Sequence, residues 1–252
     1  MTTTIAVAGK GGTGKTTIAA LIIKLLAAKG VVLAIDADPS TNLYMSLGLP
    51  LNETIGNVRE EMLEAVKTGS YDSSIPKMDY VGLKISEALV ESDRIDLLAM
   101  GRPEGPGCYC ASNEMLRFSI DRLAKNYDYV VIDCEAGMEH ISRQTTQDID
   151  ILLTISDPTM KGIITAARMK ELIAELRSRV GRICLILNRT DGTLPPQLAQ
   201  AIDQFGLELI GTLPEDAMLK GLEATGTPVT ELPPDSPLQL GVAEIAEKLG
   251  LV

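Results

Sequence analysis

The residues whose types and spacing most plainly specify chemistry are Gly9-Lys10-Gly11-Gly12-Thr13-Gly14-Lys15-Thr16. A phosphate group is held by many N–H donors at close range. Glycines let the backbone curl around it, because they tolerate positive φ and put no side chain in the way. The helical run that begins at Thr16 adds its N-terminal N–H groups and its dipole. In this arrangement Gly11, Gly12, Thr13, Gly14, Lys15, Thr16 and Thr17 form a cradle for a nucleoside triphosphate. Lys15 is expected to bridge the β- and γ-phosphates, and Thr16 to offer its hydroxyl to Mg²⁺.

A second chemistry lies in Gly105-Pro106-Gly107-Cys108-Tyr109-Cys110. Two cysteines one residue apart point the same way on an extended backbone. Two thiolates are too few for a four-coordinate soft metal site, but a two-fold dimer supplies four. Zn²⁺, Cu⁺, Ni²⁺ and an iron–sulfur cluster are all compatible with such a ligand set. The other two cysteines, Cys134 and Cys184, lie in or at the end of apolar runs and read as packing residues. His140 is the single histidine and reads as structural.

These groups must be positioned by alternating strands and helices. Apolar strand runs are expected at Ile5–Ala8, Val31–Ile35, Asp96–Met100, Tyr129–Ile132, Ile149–Ile155, Ile183–Leu187 and Leu207–Leu213. Helices are expected at Thr16–Ala28 (closed by Gly30), near Ile55–Val66, and at 113–125, Met160–Arg177, Pro195–Phe205 and 237–249. Residues 52–95 read as the least regular part. The alternation predicts an α/β fold over residues 1–252, a single domain whose mostly parallel sheet carries helices on both faces. Asp36, Asp38, Asp133, Asn188 and Pro214 each follow an apolar run, at the carboxyl ends of strands where ligands of such sheets gather.

Bulk composition narrows the function classes. The 252 residues include 34 Asp and Glu against 23 Lys and Arg, a net charge of −11. Such a chain is not drawn to nucleic acid or anionic lipid by its overall field. Aromatics make up 3%, with no Trp and two Phe, which argues against base stacking on single strands. The longest apolar stretch, Ile18–Ala28, is too short to span a bilayer and contains Lys24. Neither a nucleic-acid nor a membrane partner is expected, and the expected location is cytoplasmic.

Lys10 together with Lys15 makes the cradle resemble the deviant phosphate loop of the MinD/ParA/nitrogenase-iron-protein class of ATPases. The resemblance implies that Lys10 reaches across a homodimer to the partner's nucleotide. It also implies that Asp38, in Asp36-Ala37-Asp38-Pro39, orients or deprotonates the attacking water, with Asp36 near the Mg²⁺ shell. Val130-Val131-Ile132-Asp133 resembles a Walker B strand, so Asp133 would bind Mg²⁺ through water, and residues 134–139 would form a switch. Asn188 resembles the adenine-reading asparagine, and Pro214-Glu215-Asp216 the loop lining the base. The implied cofactors are ATP/ADP and Mg²⁺.

Gly107-Cys108-Tyr109-Cys110 after Arg102-Pro103-Glu104, with Asp133-Cys134-Glu135-Ala136-Gly137-Met138-Glu139-His140, is similar to the CooC/AcsF type of nickel-maturation ATPase. Members of that type serve carbon monoxide dehydrogenase and acetyl-CoA synthase. The resemblance implies Ni²⁺, or Zn²⁺ on the same thiolates, held by Cys108 and Cys110 of two copies, and a nickel enzyme as client. Two alternatives stand beside it. One is an electron-transferring iron protein of the nitrogenase type, whose second cluster cysteine comes a few residues after the Walker B Asp. The other is a MinD/ParA-like spatial organiser, although the tail Pro237–Val252 carries Glu244 and Glu247 with only Lys248 and so lacks a basic membrane face.

Overall fold

The structure is a computed structural model that describes residues 2–69, 74–102, 110–134, 148–175 and 179–252. Its seven strands are β1 (Thr3–Gly9), β2 (Val32–Ala37), β3 (Ile95–Ala99), β4 (Tyr129–Cys134), β5 (Asp148–Ser156), β6 (Arg179–Thr190) and β7 (Glu208–Pro214). They form one sheet in the order β3-β2-β4-β1-β5-β6-β7, and every pairing between them is parallel.

The described helices are α1 (Lys15–Ala27), α2 (Leu43–Leu47), α3 (Ile55–Thr68), α4 (Lys77–Ala88), α5 (Cys110–Ala124), α6 (Met160–Glu175), α7 (Pro196–Gln204), α8 (Ala217–Thr225) and α9 (Pro237–Lys248). They pack on both faces of the sheet, as successive strand residues alternate between faces. Ile5, Val7, Ala34 and Val131 meet α1, α2 and α9 in one core. Ala6, Ala8, Leu33 and Ile132 meet α3, α4, α5 and the C-terminal half of α6 in the other. A smaller cluster joins the N-terminal half of α6 to α7 over Leu185 and Leu187 of β6. Among the described residues, no helix is long and apolar enough to cross a membrane.

Three local features differ from the sequence expectation. Residues 52–95 are more regular than expected, since α3 and α4 occupy much of the span. The helix α4 buries only Val81, Ile85 and Ala88, a stripe one residue wide that barely registers as a periodic signal. The short helix α2 and the helix α8 had no sequence counterpart. Gly30 does close α1, its N–H donating to Leu26 O at 3.0 Å, but without the positive φ usual for a glycine in that place. A Cβ there would lie 2.4 Å from Asp128 Oδ2, and that carboxylate accepts the Val31 N–H at 2.9 Å. Gly30 is small so that Asp128 can approach.

Candidate nucleotide site

Because all seven strands are parallel, their carboxyl ends share one edge. The insertion of β4 beside β1 sets Val7 against Asp133, and β2 sets Asp36 against Asp133. The cradle leaves β1 at that edge. Gly9, Gly12 and Gly14 all have positive φ. Gly12 and Gly14 lie in the left-handed region that side chains disfavour. Apart from the turn at Gly11–Gly12, the backbone N–H groups from Gly11 through Thr17 make no hydrogen bond among the described residues. They are the donors a phosphate requires, with the first turn of α1 contributing its own.

The loop's carbonyl groups, in contrast, have donors. Lys10 O accepts from Thr13 Oγ1 at 2.9 Å and from Lys15 Nζ at 3.3 Å. Thr13 O accepts from Asn188 Nδ2 and Gly12 O from Arg189 Nη1, both at 2.8 Å. Lys15 is buried, whereas Lys10 is exposed.

Thr16 Oγ1 donates to Asp133 Oδ2 at 2.6 Å. Asp133 is buried, and its Oδ1 has no hydrogen-bond partner among the described residues. Burial pushes its pKa up to about 7, with the Thr16 bond pulling down and the Asp36 charge pushing up. A buried carboxylate with an unpartnered oxygen next to a threonine hydroxyl is an all-oxygen donor set. It fits a hard divalent cation such as Mg²⁺.

Asp36 is also raised, to about 6, by burial, against bonds from Leu43 and Asp38. Both of its oxygens accept backbone N–H groups, Oδ1 from Asp38 at 3.1 Å and Oδ2 from Leu43 at 2.9 Å. Asp36 thus organises the turn that carries Asp38. Within that turn Asp38 is half-buried, and its Oδ1 accepts from Ser40 N at 2.8 Å.

Asn188, Pro214, Glu215 and Asp216 converge on one pocket, together with Gly14 and Thr17 of the cradle and Leu219 and Leu238. Asn188 and the run Pro214-Glu215-Asp216, which are apart in sequence, thus share one pocket. The Asp216 carboxylate is nevertheless fully occupied inside the fold. Its Oδ1 accepts from Met218 N at 2.8 Å and Leu219 N at 3.4 Å, and its Oδ2 from the Ser236 hydroxyl at 2.7 Å and Leu238 N at 3.3 Å. Burial opposes its ionisation, but these bonds hold its pKa below the usual carboxylate range. Asp216 lines the pocket while its carboxylate is engaged within the fold.

Cys108, the switch residues 135–139 and His140 lie outside the described residues. Cys110 opens α5. Upstream, Met100 N donates to Asp36 O at 2.8 Å and Gly56 N to Met100 O at 2.9 Å. The chain thus leaves β3 toward Cys108 from beside Asp36. Cys134 is buried on the α3–α5 side, in the core opposite the one shared by α1, and burial raises its thiol pKa. Cys184 is likewise buried. Arg189 escaped sequence reasoning, because neither its residue type nor its spacing marks it. Its φ of 59° is the unusual feature, and that becomes visible only in the fold.

This arrangement of parallel sheet, glycine cradle and strand-end carboxylates defines a P-loop nucleotide-binding protein. The chain belongs to the CobQ/CobB/MinD/ParA nucleotide-binding domain family, which it matches over residues 4–229, and it is a P-loop ATPase of that family. It is 43% identical over 250 residues to an uncharacterized ATP-binding protein of Methanocaldococcus jannaschii, covering 97% of each chain. It is 32% identical to the carbon monoxide dehydrogenase accessory protein CooC of Rhodospirillum rubrum, over 91% of this chain and 90% of that one. Among solved structures, a ParA family ATPase from Chlorobium tepidum superposes with a TM-score of 0.71 at 21% identity, covering 100% and 99% of the two chains. The septum site-determining protein MinD of Pyrococcus horikoshii, complexed with Mg-ADP, gives 0.69 at 22% identity over 99% and 96%.

Proposed function

We propose that this chain is an ATP-hydrolysing metallochaperone. It acts as a cytoplasmic homodimer assembled on ATP or metal binding. The two copies hold Ni²⁺ or Zn²⁺ as cargo through Cys108 and Cys110 of each, and assist nickel insertion into carbon monoxide dehydrogenase or acetyl-CoA synthase. The observation that carries this reading is the likeness to CooC along nine-tenths of the chain, in a sequence that also holds Cys108-Tyr109-Cys110.

ATP is cleaved to ADP and phosphate by in-line attack of water on the γ-phosphate, a reaction catalysed mainly by positioning and by positive charge on the phosphoryl oxygens. The free N–H groups of the cradle bind the phosphates and Lys15 neutralises them. Asp38 orients the water, and Lys10 acts on the partner's nucleotide. Thr16 and Asp133 hold Mg²⁺, with Asp36 beside them; when bound, the ion supplies positive charge to the phosphate oxygens. Asn188, Pro214 and Glu215 line the base.

The iron-protein alternative loses support from Cys134, which is buried on the face opposite Asp133. The membrane-organiser alternative loses support from α9, whose Leu238, Val242, Ile245 and Ala246 are buried in the core. Equilibrium dialysis with Ni²⁺, with and without ATP, tests the proposal. The expected result is one Ni²⁺ per two chains in wild type and none in Cys108→Ser or Cys110→Ser. Undiminished binding in the double cysteine variant would overturn it, as would a reconstituted brown iron–sulfur protein that excludes Ni²⁺.

A further inference from the structure

Two consecutive residues at the end of β6 bind two consecutive carbonyl groups of the cradle. Asn188 Nδ2 donates to Thr13 O and Arg189 Nη1 to Gly12 O, each at 2.8 Å. In a regular strand neighbouring side chains point to opposite faces, so this pairing needs a break in the ladder. The break is present. Leu187 pairs with Thr212 and Thr190 with Pro214, with a register shift between them, so β6 takes three steps while β7 takes two. Arg189 occupies this bulge in the left-handed region, at φ 59°. Bulges re-aim side chains, and a non-glycine residue persists in that conformation only where its surroundings hold it there.

The surroundings supply three tethers. The Arg189 N–H donates to Asn188 Oδ1 at 3.0 Å. Its guanidinium reaches Gly12 O, and it also lies 3.7 Å from Asp157 Oδ1, just past the end of β5. Gly14 is shaped to the same device, since a Cβ there would lie 2.5 Å from Asn188 Nδ2.

We propose that Asn188 and Arg189 form a bulge-borne clamp that presets the phosphate cradle, with Arg189 a positioning residue for nucleotide binding. A loop whose N–H groups must face a phosphate has to turn its carbonyl groups away, and a protein donor on such a carbonyl fixes that orientation. Asn188 and Arg189 provide the donors for the two carbonyls at the middle of the loop. The N–H groups of Gly11 to Thr17 are thereby aimed before nucleotide arrives, and less ordering remains to be done on binding. This inference rests on the nucleotide reading of the cradle and is independent of the metal reading, so the cysteine variants leave it untouched.

Arg189→Gly is the decisive variant, because glycine accepts the left-handed backbone while the guanidinium is lost with the side chain. Arg189→Asn, also tolerant of that conformation, serves as a second variant should the first prove unstable, and Arg189→Lys keeps the charge. The readouts are Kd for ADP and for ATP by calorimetry, steady-state ATPase kinetics, and nucleotide-free Tm. Loss of a charge-assisted hydrogen bond predicts Kd values about ten-fold higher for both nucleotides in Arg189→Gly and Arg189→Asn. KM should rise in parallel, with kcat close to wild type, Tm should be unchanged, and Arg189→Lys should recover part of the affinity. Three results would overturn the proposal: wild-type affinity in Arg189→Gly, a fall in kcat at constant KM, or affinity losses that merely track losses in Tm across the variants.

Discussion

Lys10 and Lys15 belong to one eight-residue loop, yet their surroundings separate them. Lys15 is 8% exposed, with Nζ 3.3 Å from Lys10 O inside the loop it serves. Lys10 is exposed. Lys15→Ala is therefore expected to weaken ATP and ADP binding about 100-fold, since a desolvated charge facing phosphate is lost. Lys10→Ala should leave Kd within about three-fold but lower turnover on the order of 10³-fold, the scale of a charge supplied across an interface. Calorimetry and a phosphate-release assay check both, and a large Kd change in Lys10→Ala would refute the division of labour. The cradle was legible in the sequence because glycine, lysine and threonine act there through residue type at fixed spacing. Arg189 was not legible, because its role comes from a backbone conformation and a bulge that arginine does not advertise.

The elements around the base pocket depend on Asp216. It caps the N-terminus of α8 through Met218 N and Leu219 N, and it ties that end to α9 through Ser236 and Leu238 N. The sequence reading placed Asp216 on the loop lining the base and left α8 unrecognised. The helix is short and buries no residue fully, packing through the partly buried Leu219 and Leu222, so its clearest signals are the Asp216 cap and Gly226 at its left-handed end. Asp216→Ala should cost about 2–3 kcal/mol of stability by removing a cap and stranding buried donors. Because the folded pKa is depressed, this stabilisation is present above the unfolded carboxylate pKa and is lost as pH falls through the folded value. Wild type should therefore lose stability on acidification below about pH 4. Asp216→Asn should show a shallower acid limb in urea titrations run from pH 5 to pH 2, and an unchanged limb would remove Asp216 from the account.

At the scale of the molecule, strand order brings the chemistry together. Five of the seven strands have partners on both sides, and central parallel strands are apolar on both faces, so no sequence pattern says that β4 inserts between β2 and β1. The alternation of elements made the carboxyl edge predictable, whereas the apposition of Asp36, Asp133 and Thr16 depended on that insertion. The edge is also where the proposed homodimer closes, and each whole chain carries a net charge of −11. Like-signed bodies of that charge repel until salt screens them, with the Debye length shrinking from about 14 Å at 0.05 M to about 6 Å at 0.3 M. The contacts that close the dimer, Lys10 to a partner's phosphate and thiolates to a shared metal, are short-range and desolvated and so are screened much less. ATP-dependent dimerisation is therefore expected to strengthen several-fold when NaCl rises from about 50 to about 300 mM. Sedimentation velocity with a slowly hydrolysed ATP analogue measures this directly. A dimer that instead weakens steeply with salt would mean that exposed ion pairs, and not the composite sites, hold the two copies together.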